Sequence, residues 1–188
     1  MLLRRIYDAQ LAQASYLVAC RATQEAIVID PTCDIDRYLE IAATEGVRIV
    51  AVAETHVHAD FVSGMCGFAA LHPIRAYLSA EGAELPWMAR AQLAPGAEIV
   101  RLRAGDGFSV GTLDFIVRHT PGHTRESVSF ELLNLANGTR LLFSGDFLFA
   151  GDVGRPDLGA FATDGLTLKE AVDQLRGSLA SLADLPSD

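Results

Sequence analysis

The sequence predicts a layered α/β fold, in which short apolar strands alternate with amphipathic helices and with loops rich in glycine and histidine. The chain has 188 residues, of which 50% are hydrophobic and 21% are charged. This is the composition of a globular protein rather than a disordered one. A chain of this length buries about 70% of its unfolded surface as one unit. We therefore expect residues 1–188 to form a single domain.

The first half of the chain predicts a hairpin followed by a helix and a strand. Residues 15–19 and 26–29 are β-rich runs separated by a polar turn. Residues 34–45 carry apolar side chains at helical spacing, and Gly46 stands just past the last of them. The apolar run 47–53 follows as a strand, so this helix is expected to cover a sheet face.

The second half predicts more strands and a final helix. Residues 99–102 and 113–117 indicate short antiparallel strands, and residues 127–133 and 140–143 indicate a second antiparallel pair. Residues 166–182 place apolar side chains along one helical face. Such a helix is expected to pack on a sheet.

Charge and hydropathy exclude several classes of partner. The formal net charge is -9, which disfavours nucleic acid because a phosphate backbone requires a basic face. No run reaches the roughly 18 to 20 apolar residues of a membrane span. The three cysteines are an odd number without a Cys-X-X-Cys pair, as expected for reduced thiols. We expect a cytoplasmic protein that binds neither nucleic acid nor membranes.

A metal-ligand pattern follows the apolar run 47–53. His56, His58 and Asp60 occupy alternate positions, and alternate side chains of an extended segment share one face. Imidazole and carboxylate groups together suit zinc, iron or manganese. The spacing therefore indicates a metal site at the end of this strand.

Two further candidate ligands stand in the same context. His123 and Asp146 each follow a short apolar run and a turn that contains glycine. Loops at one end of the strands form the site in layered α/β folds. We expect these three loops to meet around one ion.

These motifs resemble the metallo-β-lactamase superfamily. The resemblance covers about residues 9–185 and rests on three motifs in this order: Thr55-His56-Val57-His58-Ala59-Asp60, Thr120-Pro121-Gly122-His123-Thr124 and Ser144-Gly145-Asp146. The segment from Gly151 to Leu158 is similar to that of persulfide dioxygenases, especially those fused to rhodanese domains. The resemblance implies an αββα sandwich. Members of the family continue into a further strand and a late His-Gly loop, so we expect this C-terminal strand to be lacking.

The resemblance also implies how many metals bind. Two-zinc members carry a histidine directly after the motif's aspartate, where this chain has Phe61, and another near the C-terminus, whereas no histidine follows His123. We therefore expect one metal per chain. By resemblance to persulfide dioxygenases it is iron(II), with zinc as the alternative, and its ligands are His56, His123 and Asp146. His58 is expected beside the metal as a supporting group or further ligand, and Asp60 is expected to orient its neighbours.

The activity implied is the oxidation of glutathione persulfide, or a similar low-molecular-weight persulfide, with dioxygen to sulfite and free thiol. Arg155 matches a family residue near the substrate and is expected to bind a carboxylate of the glutathione moiety. The alternative for Arg155 is an ion pair with Asp157 or Asp152. Thr124 and Ser144 are expected to donate hydrogen bonds around the site.

Two other functions remain open from the sequence. One is a glyoxalase II-like thioester hydrolase, which shares the three ligands but normally uses the second-metal residues that are missing. The other is a non-catalytic remnant, or a fragment of a dioxygenase–rhodanese fusion. An exposed sheet edge left by a missing strand would favour a homodimer.

Overall fold

The computed structural model describes residues 1–82, 92–134, 138–157, 166–183 and 185. Its largest element is a six-stranded sheet, in which each strand is hydrogen-bonded to the next along the chain. The first three strands pair antiparallel, and the third to the sixth pair parallel. The strands are β1 (Leu2–Asp8), β2 (Gln13–Cys20), β3 (Glu25–Ile29), β4 (Arg48–Ala53), β5 (Arg75–Ser79) and β6 (Glu98–Leu102).

A second, antiparallel sheet packs on one face of the first. Its strands are β7 (Gly107–Val110), β8 (Leu113–His119), β9 (Val128–Asn134) and β10 (Thr139–Phe143), in the spatial order β10-β9-β8-β7. A short ribbon follows, formed by β11 (Leu148–Phe149) and β12 (Asp152–Val153). The backbone N–H of Val128 donates to the carbonyl of Thr55 over 2.8 Å. This bond ties the start of β9 to the loop that follows β4.

Three helices complete the described fold. They are α1 (Asp36–Glu45), α2 (Met65–Leu71) and α3 (Leu168–Ser181). Gly46 ends α1 with a φ of 66°, a left-handed conformation that glycine adopts without strain. Thr167 and Glu170 form a reciprocal capping box at the start of α3. Within the described ranges, no helix is long and apolar enough to cross a membrane.

Strand alternation divides the apolar side chains of the first sheet between two cores. In β2, Leu17 and Ala19 pack with Tyr38 and Phe68 of the helices. The next side chain, Val18, and those on the same face pack against the second sheet. Both sets are almost fully buried. Each sheet residue therefore lies either under the helices or between the sheets, as period-two patterning requires.

The predicted fold class, a sandwich of two sheets flanked by helices, is confirmed. The predicted helices at 34–45 and 166–182 are present within two residues of their expected ends. The predicted pairing of residues 99–102 with 113–117 is wrong, because β6 joins β5 in parallel and β8 pairs with β7 and β9. Strand β1 was not predicted, since its buried residues are four apart rather than two.

Candidate metal centre

Three of the predicted ligands converge from the two sheets. His56 follows β4, His123 lies in the loop between β8 and β9, and Asp146 lies in a 3-10 turn directly after β10. One ligand atom from each of the three lies within 4.8 Å of the others. Asp146 Oδ2 is 3.9 Å from His56 Nε2 and 3.6 Å from His123 Nε2. Donor atoms at these separations leave room for a divalent cation between them.

Hydrogen bonds set the tautomer of His56. The hydroxyl of Thr55 donates to Asp30 Oδ2 over 2.9 Å and lies 3.0 Å from His56 Nδ1. Because its hydrogen is directed at the carboxylate, this hydroxyl accepts from His56 Nδ1–H. The lone pair is then on Nε2, which faces Asp146. Such an orienting contact behind a histidine is typical of metal ligands.

A backbone carbonyl sets the tautomer of His123 in the same way. His123 Nδ1 lies 3.3 Å from the carbonyl oxygen of Arg155. A carbonyl can only accept, so Nδ1 carries the hydrogen and Nε2 keeps its lone pair. Two neutral imidazoles and one carboxylate therefore present their free atoms to one point, and this donor set fits iron(II) or zinc.

Two glycines allow the backbone segments to approach at this point. A Cβ on Gly145 would lie 2.2 Å from Thr55 Oγ1, and its φ of 51° is left-handed. A Cβ on Gly154 would lie 1.7 Å from the carbonyl oxygen of Asp146 and 3.1 Å from the Cβ of His123. No larger residue fits at either position without moving the ligands. The Gly-Arg-Pro-Asp segment thus supports the site through its backbone.

A second cluster lies beside the first and consists of Asp30, Glu54 and His58. His58 Nε2 is 3.2 Å from Asp30 Oδ1 and 3.1 Å from Glu54 Oε2, although neither contact has the straight geometry of a full hydrogen bond. All three side chains are 5% exposed. Phe61, at the position where two-zinc relatives carry histidine, packs its ring 4.2 Å from that of His58.

The two clusters differ in where their protons lie. Burial lowers the pKa of His56, and the His58 cation lowers it further, to about 3. Burial also acts to lower the pKa of His58, but Asp30 and Glu54 outweigh it and raise the value to about 10. Burial raises the pKa of Glu54 to about 7, with the charge of Asp30 adding to the effect. His56 is therefore a neutral donor, and His58 is a cation between two acidic groups.

An open cavity gives access to the candidate metal centre. Its volume is about 610 Å³, and it is lined by Asp146, His58, Asp60 and Ser144 and by residues of β1 and β2. Leu11 and Phe149 form exposed apolar parts of its wall. A pocket of this size accommodates a small ligand.

The other predicted site residues lie around this centre without converging on it. Asp60 is exposed on the cavity wall, and no hydrogen bond or ion pair joins it to any residue in the described ranges. Thr124 bonds to the hydroxyl of Ser127 over 2.6 Å, and Ser144 donates to the carbonyl of Leu148. The Arg155 guanidinium is 71% exposed and pairs with Asp157 over 2.6 Å. This pairing is the alternative that the sequence left open for Arg155.

Two buried acidic residues of the second cluster were not predicted as part of the site. Asp30 accepts bonds from the backbone N–H and the hydroxyl of Thr55, over 2.7 and 2.9 Å. Glu54 Oε1 accepts from the hydroxyl of Ser63. The available signal was an acidic residue directly after each of two predicted strands, 26–29 and 47–53, that are connected by a helix. Such a connection makes strands parallel and places both acidic residues at the same sheet edge.

Comparison with known proteins places this geometry in a family. The family model described as the metallo-β-lactamase superfamily matches residues 9–185. Bovine (Bos taurus) mitochondrial persulfide dioxygenase ETHE1 is 28% identical over 160 residues, which are 84% of this chain and 56% of the relative. The hydroxyacylglutathione hydrolase of Tolumonas auensis is 30% identical over 178 residues, covering 94% of this chain and 59% of the hydrolase. The chain thus spans between half and three fifths of these curated relatives.

Solved structures show the same architecture. A metallo-β-lactamase from Staphylococcus aureus subsp. aureus COL superposes with a TM-score of 0.84 at 38% identity, over 99% of this chain and 53% of that one. ETHE1 from Myxococcus xanthus superposes with a TM-score of 0.77 at 29% identity, over 99% of this chain and 72% of that one. These similarities include proteins with different names, so the name of a neighbour does not by itself assign an activity.

Proposed function

The chain belongs to the metallo-β-lactamase superfamily, and within that family we propose that it is a persulfide dioxygenase with one metal ion per chain. The substrate would be glutathione persulfide or a similar low-molecular-weight persulfide. The balanced reaction is RSSH + O2 + H2O → RSH + SO3²⁻ + 2H⁺. The S–S bond breaks, the outer sulfur loses four electrons to dioxygen, and the thiol leaves.

The observation that best supports this proposal is the contrast between the two adjacent clusters. His56, His123 and Asp146 offer two imidazole lone pairs and a carboxylate beside an open cavity. His58 is instead held by Asp30 and Glu54. Two histidines and one carboxylate that leave further coordination positions open are characteristic of iron(II) oxygenases. The similarity to two proteins named ETHE1 supports the same reaction.

The metal would be held by His56 Nε2, His123 Nε2 and one oxygen of Asp146. Iron(II), when bound, would supply the one-electron chemistry that dioxygen requires and a Lewis-acidic centre for the sulfur anion. Thr55 and the carbonyl of Arg155 keep the two imidazoles in the donor tautomer. Leu148 and Phe149 line the cavity together with Asp146 and would place apolar surface beside the reacting sulfur.

Metal analysis combined with oxygen uptake tests this function. Protein purified without oxygen should contain about one iron per chain, and glutathione persulfide should cause oxygen uptake with formation of sulfite. His123→Ala should abolish both iron binding and uptake. His72→Ala is the matched control, because His72 packs against Phe68 at the end of α2 and belongs to neither His/carboxylate cluster. Iron without sulfite formation would contradict the proposal.

The second candidate is a glutathione thioester hydrolase. It is favoured by the 30% identity to a hydroxyacylglutathione hydrolase, and a metal-activated water could be held by the same three donors. Zinc in the purified protein, with thioester turnover and no oxygen uptake, would establish this activity instead. A protein that binds no metal under any of these conditions would be the non-catalytic remnant.

A further inference from the structure

We propose that Arg5 forms an anion-binding subsite in the cavity that adjoins the metal centre. This subsite would select thiol carriers that bear a carboxylate or a phosphate. The proposal rests on the proposed function for the identity of the reacting sulfur. The binding of the carrier's anionic group by Arg5 can be tested by affinity measurements, without an assay of the reaction.

Strand β1 directs Arg5 into the cavity. Leu2 and Ile6 are buried under the helices, so the odd-numbered residues Arg5 and Tyr7 lie on the opposite face. Arg5 stands opposite Tyr16 of β2 in the strand register. All three of these cavity-side residues line the same space as Asp146. The cavity therefore connects the metal-binding carboxylate to a guanidinium.

The Arg5 side chain differs from the other arginines near the site in having no acidic partner in the described part of the chain. Its neighbour Arg4 donates to Glu45 over 2.7 Å on the other side of the sheet. Arg155 is paired with Asp157 over 2.6 Å. The guanidinium of Arg5 instead lies over the ring of Tyr7, with its central carbon 5.0 Å from the ring centroid. A cation–π contact orients a guanidinium and leaves its N–H groups free for a ligand.

The acidic surroundings of Arg5 determine where an anionic ligand would bind in the cavity. The whole chain carries a formal charge of -9, and the cavity wall includes the carboxylates of Asp30, Asp60 and Asp146. His58 is already held between two acidic groups. Among the described residues of the cavity wall, Arg5 is thus the permanent cation available to a ligand. An anionic carrier would be repelled from the rest of the wall and attracted to Arg5.

The remaining wall fits the body of an extended ligand. Tyr7, Leu11 and Phe149 are 50%, 38% and 46% exposed, and all three line the cavity. They add apolar surface to the wall that also carries Arg5 and Asp146. A guanidinium binds either carboxylate or phosphate through two parallel hydrogen bonds. The ligand class is therefore an anionic thiol, with a peptide carboxylate or a nucleotide phosphate as the two sources of charge.

Calorimetric titration of the metal-loaded protein tests the subsite. The probes are reduced glutathione for carboxylate, coenzyme A for phosphate, and 2-mercaptoethanol as a neutral thiol. Arg5→Met should weaken the binding of at least one anionic probe by about tenfold or more, the loss expected for a charge-assisted hydrogen bond. The neutral probe should be unaffected. Arg5→Lys should recover part of the affinity, and Arg103→Met, an exposed arginine outside the cavity, should bind all probes like the wild type.

Oxygen uptake with the corresponding persulfides gives a second readout. The effect of Arg5→Met should fall on KM for the anionic persulfide rather than on kcat, because Arg5 is not one of the residues of the metal-binding group. If the wild type and Arg5→Met bind both anionic thiols with equal affinity, the proposal of an Arg5 subsite is wrong. Failure of the dioxygenase proposal is distinguishable, because wild-type protein would then show no uptake with any persulfide. If Arg5→Met does not fold, Arg5→Gln, which keeps a polar side chain, provides the same comparison.

Discussion

Two clusters of histidine and carboxylate side chains lie side by side at one end of the sandwich, and they differ in where their protons lie. The rings of His56 and His58 are only 4.1 Å apart. The first cluster presents lone pairs because a hydroxyl and a carbonyl occupy its Nδ1 atoms. The second presents an N–H because two carboxyl groups face its Nε2 atom. Residue type alone therefore does not identify a metal ligand. The hydrogen-bond partners of each ring nitrogen show which histidine can offer a lone pair to a metal.

The second cluster also acts on the first. Asp30 accepts the hydroxyl hydrogen of Thr55, and this bond makes that hydroxyl an acceptor for His56. The His58 cation adds to burial in lowering the pKa of His56 to about 3. A neutral His56 near pH 7 follows from both contacts. We infer that the buried acidic cluster keeps the metal-binding histidine ready for a cation.

The largest expected effect separates the two histidines of the motif. His56→Ala removes a donor and should weaken metal binding by more than the roughly 100-fold that loss of a supporting residue can cost. His58→Asn should retain about one metal per chain, with an affinity loss of about tenfold. Metal titration monitored by competition with a chelator measures both. Equal losses in the two variants would contradict the assignment of separate roles.

Gly154→Ala should disrupt the first cluster, because the added Cβ would displace the backbone of a ligand residue. The new Cβ would meet the carbonyl oxygen of Asp146 at 1.7 Å, so the loop must move, at a cost of about 3 kcal/mol or more. Urea denaturation and metal titration should both register the change. Gly177→Ala is the control, because a Cβ there meets nothing within 4 Å and alanine favours the helix. A Gly154→Ala protein as stable as the control would show that this contact is not required.

Asp30→Asn should weaken the second cluster with a smaller effect. It removes the carboxylate charge of Asp30 that faces His58 and leaves a buried cation partly unpaired, which we expect to cost about 2 kcal/mol of stability. Chemical denaturation of the metal-free protein measures this loss. Asp114→Asn serves as the control, because Asp114 also accepts a side-chain hydrogen bond, from Ser109, but at an exposed position. Similar losses in both variants would argue against a special role for Asp30.

The smallest expected effect is the dependence of stability on pH. The folded-state pKa of His58 is raised from 6.5 to about 10, so its contribution is complete below pH 6.5 and is lost as the pH rises through about 10. The metal-free protein should therefore lose about 1 kcal/mol of stability between pH 7 and pH 8. The raised pKa of Glu54 acts in the same direction at lower pH. Urea denaturation should show that His58→Gln flattens this dependence.

The interpretation of Arg155 illustrates how far a motif can be used. The sequence marked the Gly-Arg-Pro-Asp segment as part of the site, and the segment does lie against it. However, the contact to His123 comes from the backbone carbonyl of Arg155, while its side chain pairs with Asp157. A motif indicates that a segment is important, but it does not distinguish side-chain from main-chain roles. Whether Arg155 also binds substrate stays a prediction.

Local patterns along the chain were enough to predict the layers of the fold and the convergence of His56, His123 and Asp146. Apolar periodicity is a local property, and the loops that follow β4, β8 and β10 are carried to one end of the sandwich by the packing of the two sheets. The buried contacts of Asp30 and Glu54, and the position of Arg5 on the cavity wall, could be recognised only in the folded chain. Their significance depends on burial, on neighbouring charges and on the absence of a partner within the described residues, and each of these arises from segments that are distant along the chain.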